Sequence, residues 1–572
     1  MARDEGRKCL KSVIDGVEGI DMDRMRRLLR KQLRETMASL ESDPHHAIAF
    51  RCIGDALYSQ NENDFISRMN PQHSLNELLK EGEDYWLCLW KKYFDNDLVT
   101  VVGSPSIELQ AKIAEDELNR IAEQRAQLGE EGLAEKGKLL EEAMEFNERP
   151  PPPGTLASVP VPSCENLKCH KISSWNSFSE PCPYFDVKAI PMYARVHSLN
   201  TNFVYCEPDD YEEVVNHLYE VLNTAEITKE RLLVFAQRLI NDVSQVRRNG
   251  HKMVYDILRD SLYSKDSNVH WSSVLRQQKF LKELIDQLNA GGDSAEAAIN
   301  EAKQTFKTLT GNAWLHLSAD LVKYKLGSEP WKRFARENEI TFMKPNLYWD
   351  ADLMTGWGGG VVVGVGGLDS SFVVQSSEGP LGNAFVDFAP LIVALNYFTQ
   401  LEGPMWRLIR GGGLSYGYGI RPSPNEGRLV FSLYRATNAV AAYTKAKNIV
   451  DEYLADHKFD EDLFASAKST ALFEVVENEK CVADVVTQSL INYIRQATET
   501  YNRDLVCAIA AVTEAEVHAA ATRWLPRMFQ TDTCKVAVVC HPTKVADMQA
   551  AFGKINVRLD AFDSMETSHF NK

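Results

Sequence analysis

Four consecutive prolines, Pro150 to Pro153, divide this chain of 572 residues into two parts. Proline has no backbone N–H and its ring fixes φ, so a run of four cannot continue a helix or a sheet ladder. Such a run favours the extended polyproline II conformation. Pro160 and Pro162 prolong the same segment. We therefore predict a semi-rigid strap between two structured parts at residues 150–163.

The part before the strap is predicted to be mainly helical. Helical patterns run to about residue 94, and the β-branched stretch from Asp95 to Ser106 then predicts a strand that ends in a turn. A long charged stretch from Ile107 to Asn147 has a break near Gly129 and Gly132, which favours a helical hairpin. We therefore predict the back part of an α+β domain at residues 1–106 and a helical hairpin connector at residues 107–149.

The part after the strap alternates between β-rich and helical stretches. Two strands are predicted within Phe185 to Pro208, and long helical patterns follow them. A second β-rich region includes Gly358 to Ser377, whose glycines indicate strands that pass close to neighbouring backbone. These patterns predict one α+β domain at residues 164–339 and another at residues 340–572.

The two ends of the chain look like copies of one half-domain. The segment from Val101 to Ser106 aligns without a gap with the segment from Val538 to Thr543, and similar helical stretches precede both. Gly-rich strands precede the second copy, whereas almost nothing precedes the first. A sheet without its leading strands would expose an edge and apolar helix faces. We therefore expect the first copy to be truncated, or completed by another polypeptide.

Composition narrows the class of protein. A hydrophobic content of 44% with 25% charged residues is that of an ordinary globular chain. The net charge of −17 argues against nucleic acid as the main partner and mildly favours basic peptides. An apolar run of about 18 residues or more is lacking, so we expect no membrane partner. The 11 cysteines, an odd number without a signal peptide or C-x-x-C spacing, fit a reducing compartment.

The segment from Gly403 to Ile420 contains the closest grouping of side chains that could bind a ligand or stabilise a charge. Arg407 and Arg410 lie at the end of a predicted helix, and three glycines follow directly. Tyr416 and Tyr418 then occupy alternate positions of a predicted strand. A guanidinium and a phenol that face one cleft could hold a peptide carbonyl or a developing oxyanion. The same residue types are also typical of a purely structural helix-to-strand turn, because glycine ends helices and tyrosine forms strands well.

This segment resembles the signature in the last domain of pitrilysin/insulinase-type zinc metalloproteases, most closely the presequence-protease branch. In that family an arginine and a tyrosine six residues later close on the substrate. The resemblance therefore implies substrate-binding roles for Arg410 and Tyr416, with Arg407 and Tyr418 ranked lower. It covers most of the chain and implies pitrilysin-like α+β domains, each a mainly antiparallel sheet packed against helices. Residues 1–106 would correspond to the back of the second domain, and residues 164–339 and 340–572 to the third and fourth.

The zinc chemistry of that family is implied to lie outside this chain. Family enzymes hold zinc in their first domain through an inverted H-x-x-E-H helix and a later glutamate, and the motif's glutamate acts as general base. The nearest approach here runs from His217 to Val221, where valine replaces the second histidine. One imidazole and one carboxylate cannot make the usual site with three protein ligands. We therefore expect this chain to bind no catalytic zinc and to supply no catalytic residue.

Two functions follow from the resemblance. In the first, the chain is the C-terminal, substrate-binding half of a zinc metalloendopeptidase that encloses and degrades short unfolded peptides. Its partners are then the peptide and a zinc-bearing N-terminal half, in the same or another polypeptide. In the second, it is a noncatalytic pitrilysin-like subunit or scaffold in a complex. The apparently truncated half-domain favours the first. We expect a cytoplasmic location, or a mitochondrial one if a targeting segment lies in the missing half.

Overall fold

The chain divides between Arg149 and Pro150 into two units, called unit 1 (Met1–Arg149) and unit 2 (Pro150–Lys572). The computed structural model describes residues 11–12, 19–94, 103–147, 210–311, 329–334, 350–354, 358–382 and 385–568, apart from residues 457, 496, 499 and 566, with a few isolated positions between residues 101 and 158. The predicted strands within Phe185 to Pro208 lie outside the described residues, as does most of the predicted strap. The strand predicted from Asp95 to Ser106 is described only in part, without strand structure.

Unit 1 is helical throughout its described residues. Its helices are α1 (Met22–Ser42), α2 (Pro44–Tyr58), α3 (Glu62–Met69), α4 (Pro71–Leu78), α5 (Glu83–Phe94) and α6 (Ile107–Asn147). Local signals mark the starts of several of these helices. The Asp21 side chain caps α1 by accepting a hydrogen bond from the backbone N–H of Arg24, and Pro44 occupies the first turn of α2. Leu29 is buried, whereas Phe50 and Tyr58 are 68% and 70% exposed. Helices α1–α5 therefore leave much apolar surface open.

The long helix α6 is two helices in succession. Gly129 has φ 62° and ψ −175°, outside the helical region, and it separates the two parts. Glycine adopts this left-handed backbone readily, whereas other residues do not. The break that the sequence predicts near Gly129 is therefore confirmed.

Unit 2 combines helices with one sheet. Its helices are α7 (Tyr211–Asn223), α8 (Lys229–Val246), α9 (Gly250–Leu262), α10 (Asn268–Trp271), α11 (Val274–Ala290), α12 (Gly292–Gly311), α13 (Phe385–Thr399), α14 (Ala439–Asp456), α15 (Glu461–Glu477), α16 (Val482–Ile494), α17 (Tyr501–Ala511), α18 (Glu514–Trp524) and α19 (Val545–Lys554). Its strands are β1 (Gly360–Gly364), β2 (Ser371–Glu378), β3 (Ser415–Ser423), β4 (Arg428–Ala436), β5 (Cys534–Cys540) and β6 (Asp560–Phe562).

The sheet has the strand order β3-β4-β2-β5-β1-β6. The pairs β3–β4, β4–β2 and β2–β5 are antiparallel, while β1 runs parallel to both β5 and β6. The sheet is thus mixed and mainly antiparallel, and helices pack on it. The α+β class predicted from the sequence is confirmed.

Both faces of the central strands are buried. Val361 and Val363 of β1 pack with α9, whereas Val362 between them packs in the larger core that contains α13. Successive strand residues point to opposite faces, so a strand covered on both sides is apolar at every position. This explains the uninterrupted valine run that follows the glycines of β1.

Two glycines of β1 lie against neighbouring backbone, as the sequence predicts. A Cβ on Gly360 would lie 2.5 Å from the carbonyl oxygen of Val536, and one on Gly364 would overlap the carbonyl oxygen of Asp563. Side-chain-bearing residues cannot approach backbone so closely. The two positions therefore require glycine because of the packing of β1 between β5 and β6.

Among the described helices, no single one is long and apolar enough to cross a membrane. One bent pair, Tyr501–Ala511 with Glu514–Phe529, has the length and composition of a membrane span only when its two helices are counted together.

Candidate functional site

The turn before β3 is a π-helix rather than the end of an ordinary α-helix. It spans Trp406–Gly411, and the backbone N–H of Leu414 bonds to the carbonyl of Ile409 at 2.9 Å, five residues back. A π-turn is wider than an α-turn, and such turns occur often at functional sites. The sequence predicts a helix here but not its widened last turn. The turn ends with Arg410 exposed and Ile409 buried in the core.

The three glycines after Arg410 are not equivalent. A Cβ on Gly412 would lie 2.8 Å from the carbonyl oxygen of Leu408, and Gly413 has φ +67°, whereas a Cβ on Gly411 would meet its nearest atom at 3.6 Å. The first value is shorter than real Cβ contacts, and the positive φ disfavours residues with side chains. Gly412 and Gly413 are therefore needed to reverse the chain into β3, whereas Gly411 is not.

Arg410 and Tyr416 are brought together on the surface. The Cζ atom of Arg410 lies over the Tyr416 ring, 4.8 Å from its centroid, and Tyr416 is 61% exposed. A guanidinium stacked on an aromatic ring still presents its N–H donors around its edge. The Tyr416 hydroxyl has no protein hydrogen-bond partner among the described residues. The pair therefore offers donors from a guanidinium and a phenol to a single ligand.

Strand β3, which follows the pair, is an edge strand. It pairs with β4 on one side, from Ser415 opposite Ala436 to Ser423 opposite Arg428, and with no other described strand. An edge strand leaves backbone N–H and C=O groups unpaired along its free side. Pro422 within β3 fits this position, because proline has no N–H to donate to a ladder and is tolerated within sheets mainly on edge strands. An extended chain can add here through main-chain hydrogen bonds.

The two residues ranked lower by the sequence have other roles. The Tyr418 ring packs against the core that contains α13, and its hydroxyl donates to the carbonyl of Thr399 at 3.4 Å. Burial raises the pKa of Tyr418. Arg407 Nε lies 3.8 Å from Glu402 Oε2. Both side chains are thus engaged within the protein, in contrast to Arg410 and Tyr416.

Residues distant in sequence complete the surroundings of Tyr416. The Tyr434 ring lies 6.4 Å from the Tyr416 ring and 5.1 Å from the His251 ring, centroid to centroid. Burial, and to a smaller extent the charge of Arg421, lowers the pKa of His251. A Cβ on Gly250 would overlap the Phe372 ring, so glycine lets the first turn of α9 lie directly on β2. Sequence reasoning missed His251 and Tyr434, because nothing local links α9 to β4.

A buried ion pair fixes the β3–β4 turn. Arg428 pairs with Glu426, and its Nη1 donates to Ser376 Oγ at 3.2 Å. Tyr263 donates to Glu426, and Ser423 Oγ donates to the same carboxylate at 2.7 Å. Burial alone would raise the pKa of Glu426, but the charge and hydrogen bonds of Arg428, with those of Tyr263 and Ser423, lower it below its ordinary value of 4.5. The network joins the end of α9 to the edge hairpin.

The described residues do not fit the zinc site of the family that the sequence resembles. His217 Nδ1 lies 3.7 Å from Glu220 Oε2 on α7, and both side chains are largely exposed. Across the described ranges, no three His, Cys, Asp or Glu side chains are grouped so that they could hold a metal ion. A catalytic zinc requires about three protein ligands and one open position. No chemical step on zinc is therefore assigned to these residues.

Curated relatives resemble the chain over most of its length. An uncharacterized protein of Caenorhabditis elegans is 25% identical over 618 aligned residues, covering 93% of this chain and 61% of the relative. Uncharacterized proteins of Schizosaccharomyces pombe and Saccharomyces cerevisiae are 20% and 19% identical, covering 83% and 93% of this chain and 54% and 62% of the relatives. The chain thus spans 54% to 62% of the length of these relatives. No family model matches the chain.

Among solved structures, the chain is similar to peptidase domains. A peptidase M16 inactive domain from Pseudomonas fluorescens is 14% identical with a TM-score of 0.41, covering 58% of this chain and 75% of that one. A protease from Helicobacter pylori is 11% identical with a TM-score of 0.44, covering 58% of this chain and 77% of that one.

Proposed function

We propose that this chain binds extended, unfolded peptides along the free edge of β3, with Arg410 and Tyr416 holding a peptide carbonyl where the strand begins. The observation that carries the proposal is the placement of this exposed pair directly before an edge strand whose far side is open among the described strands. Backbone hydrogen bonds to a strand edge recognise an extended chain with little regard for its side chains. The site would therefore accept many sequences.

Arg410 is expected to provide the strongest single contact. A hydrogen bond from a charged donor contributes about 1.5 to 3 kcal/mol, which corresponds to roughly a tenfold to hundredfold change in affinity. Stacking on Tyr416 restricts the guanidinium before the ligand arrives. Less conformational entropy is then lost on binding.

Binding of a labelled neutral peptide to the full chain, followed by fluorescence anisotropy, tests this proposal. We expect Arg410→Gln to weaken binding about tenfold or more. Arg407→Gln is the matched control, because Arg407 lies in the same turn but is engaged with Glu402. Equal affinities of the two variants and the unchanged chain would overturn the assigned role of Arg410.

We further propose that the chain acts as the substrate-binding half of a zinc metalloendopeptidase. The resemblance of the Arg410 segment supports this assignment, and the zinc and general base would come from an N-terminal half in the same or another polypeptide. In this arrangement the chain alone binds peptides without cutting them, since the described residues do not fit the metal site. The alternative is a noncatalytic pitrilysin-like subunit or scaffold.

Isolation of the native species with an antibody against residues 403–420 separates these two functions. Intact mass, zinc content and cleavage of a quenched fluorescent peptide are measured on the same material. A species that holds zinc and cleaves the peptide supports the endopeptidase half. A species that binds the peptide but holds no zinc and cuts nothing supports the noncatalytic subunit.

A further inference from the structure

Next to the Arg410–Tyr416 pair, two neighbouring positions on one face of β3 are glycines and expose bare backbone. Gly417 and Gly419 stand opposite Tyr434 and Ser432 of β4. A Cβ on Gly417 would lie 3.2 Å from Tyr434 Cβ, and one on Gly419 would lie 3.8 Å from Ser432 Oγ, so each glycine shares a sheet face with its partner. Two alternate positions on one face of the edge strand therefore carry no side chain. A ligand can approach the backbone closely there.

An aromatic strip borders this bare face. Tyr434 contacts Tyr416 on one side and His251 on the other, with ring centroids 6.4 Å and 5.1 Å away. His251 in turn lies 5.0 Å from Tyr255, and all four residues are at least partly exposed. The strip thus runs from the start of β3 to the first turns of α9.

Three guanidinium groups surround the strip. Arg410 stacks on Tyr416, and the Cζ of Arg435 lies 5.5 Å from the Tyr434 ring centroid. Arg421 is the next residue after Gly419 on the same face of β3, and its charge contributes to the lowered pKa of His251, after burial. All three arginines are exposed.

None of these three arginines forms an ion pair with a described carboxylate, whereas the neighbouring Arg407 and Arg428 both do. Arg435 acts electrostatically on the carboxylate of Asp369. Its pKa is lowered mainly by a hydrogen bond from Ser370 and to a smaller extent by the charge of Arg435, which lies beyond ion-pair distance. A chain with net charge −17 therefore keeps three positive groups beside one strand edge that no carboxylate of the described residues pairs with.

We propose that Arg410, Arg421 and Arg435 form a positively charged surface along β3 that binds a carboxylate carried by the bound peptide, so that this chain prefers peptides bearing an acidic group. The inference rests on the proposed peptide-binding function and names its substrate class. It replaces the expectation of basic peptides, which follows from the overall charge, because local charges act over about a Debye length of 8–10 Å. Planar guanidiniums match the geometry of a carboxylate.

The geometry also predicts where along the peptide the acidic group lies. A strand rises about 3.3 Å per residue, so Gly417 and Arg421 are about 13 Å apart along β3. An acidic side chain facing Arg421 would therefore lie about four residues from the peptide residue that faces Gly417. Arg435 instead lies near the end of the strip at Tyr416. A carboxylate at the peptide terminus could provide the same chemistry as an acidic side chain.

A glutamate scan of one neutral peptide, measured by anisotropy with the full chain, tests the inference. The parent peptide is acetylated and amidated, contains glutamine at the scanned positions, and is compared with versions that carry glutamate, lysine or a free C-terminal carboxylate. We expect a carboxylate at one position to tighten binding about fivefold to tenfold. A gain confined to the free C-terminus would assign the surface to the terminal carboxylate, and a gain at one scanned position would assign it to a side chain.

Matched variants show which arginines are responsible. For Arg421→Gln and Arg435→Gln the gain is measured as the ratio of acidic-peptide to parent-peptide affinity within the same variant, and the variant whose arginine faces the carboxylate should reduce this ratio to less than about twofold. Exposed Arg558, which lies just before β6, provides the control Arg558→Gln, which should preserve the gain. Thermal unfolding of each variant verifies that the fold is retained.

Two results would contradict the inference in different ways. If the neutral, acidic and basic peptides bind equally, or if lysine tightens binding, the carboxylate-binding surface is wrong while the proposed peptide-binding function stands. If no peptide binds at all, the proposed function fails and the inference fails with it.

Discussion

Arg410 and Tyr416 illustrate how two exposed side chains can be prearranged for a ligand. The guanidinium lies 4.8 Å over the phenol ring, and the aromatic hydroxyl has no protein partner among the described residues. Tyr416 can therefore act in two ways, by donating a hydrogen bond itself or by holding Arg410 in place through cation–π attraction. The two roles require different atoms of the side chain.

Two substitutions of Tyr416 separate these roles. Tyr416→Phe keeps the ring under Arg410 and removes the hydroxyl, whereas Tyr416→Leu removes both. If the hydroxyl binds peptide, Tyr416→Phe should weaken affinity about fivefold to tenfold. Tyr416→Leu should cost a further twofold to fivefold, since an exposed cation–π contact contributes about 0.5 to 1 kcal/mol. Unchanged affinity in both variants would show that Tyr416 takes no part in binding.

Glu426 makes the stability of the β3–β4 hairpin depend on pH. Its pKa in the folded chain is below the ordinary value of 4.5, so the folded state favours the ionised form. The resulting stabilisation is fully present above pH 4.5 and is lost as pH falls through the lowered pKa. We expect Glu426→Gln to reduce the free energy of unfolding at pH 7 by about 2–3 kcal/mol and to reduce it far less in acid.

Urea unfolding curves at neutral and acidic pH measure this difference. Glu378→Gln is the control, because Glu378 pairs with Arg527 at 2.6 Å while both side chains remain well exposed. Exposed pairs contribute about 0–1 kcal/mol, so the control should change stability little at either pH. An equal loss for Glu426→Gln at pH 7 and in acid would contradict the role of its charge.

The sequence predicts many of the helices and strands that surround the site. The strands within Gly358 to Ser377, the close packing of Gly360 and the break at Gly129 follow from local chemistry, since glycine and β-branched residues act on their own backbone. Contacts between distant elements do not follow in this way. His251 joins Tyr434 because α9 packs on the sheet beside Phe372, and no local pattern specifies that packing. The π-turn before β3 is likewise not specified by a local pattern, and its Ile409 is buried in the core.

The π-turn itself provides a test of how Arg410 is positioned. Gly412→Ala would place a methyl group against the carbonyl of Leu408 and force the turn to shift. We expect it to lower stability by about 1–3 kcal/mol and to weaken peptide binding. Gly411→Ala is the matched control, because its methyl group would have space. Circular dichroism, unfolding curves and anisotropy measure both variants, and equal behaviour of the two would contradict the requirement for glycine at position 412.

The two units of the chain differ in how much apolar surface they bury. Unit 2 contains two large cores on opposite faces of its sheet, whereas Leu29 is the one buried apolar residue among the described residues of unit 1. Local stability follows the density of buried contacts.

Hydrogen exchange of the full chain measures this contrast. We expect amides of β2, β5 and α13 to exchange slowest, because their residues are buried on both sides or within the largest core. Amides of α1–α5 should exchange faster by at least about tenfold, since their packing contributes little to closing local openings. Equal protection of the two sets would show that unit 1 is stabilised by contacts other than those of its described residues.

The most direct test of peptide binding at β3 is hydrogen exchange of the same chain with and without a neutral extended peptide. An added strand should protect the amides of β3 (Ser415–Ser423) that face its free side, and at a peptide concentration near the Kd of the unchanged chain this protection should be strongly reduced in Arg410→Gln. Amides of β6, at the other edge of the sheet, provide the internal control and should not change. Protection of β6 instead of β3, or protection of β3 that persists without Arg410, would contradict the proposed site.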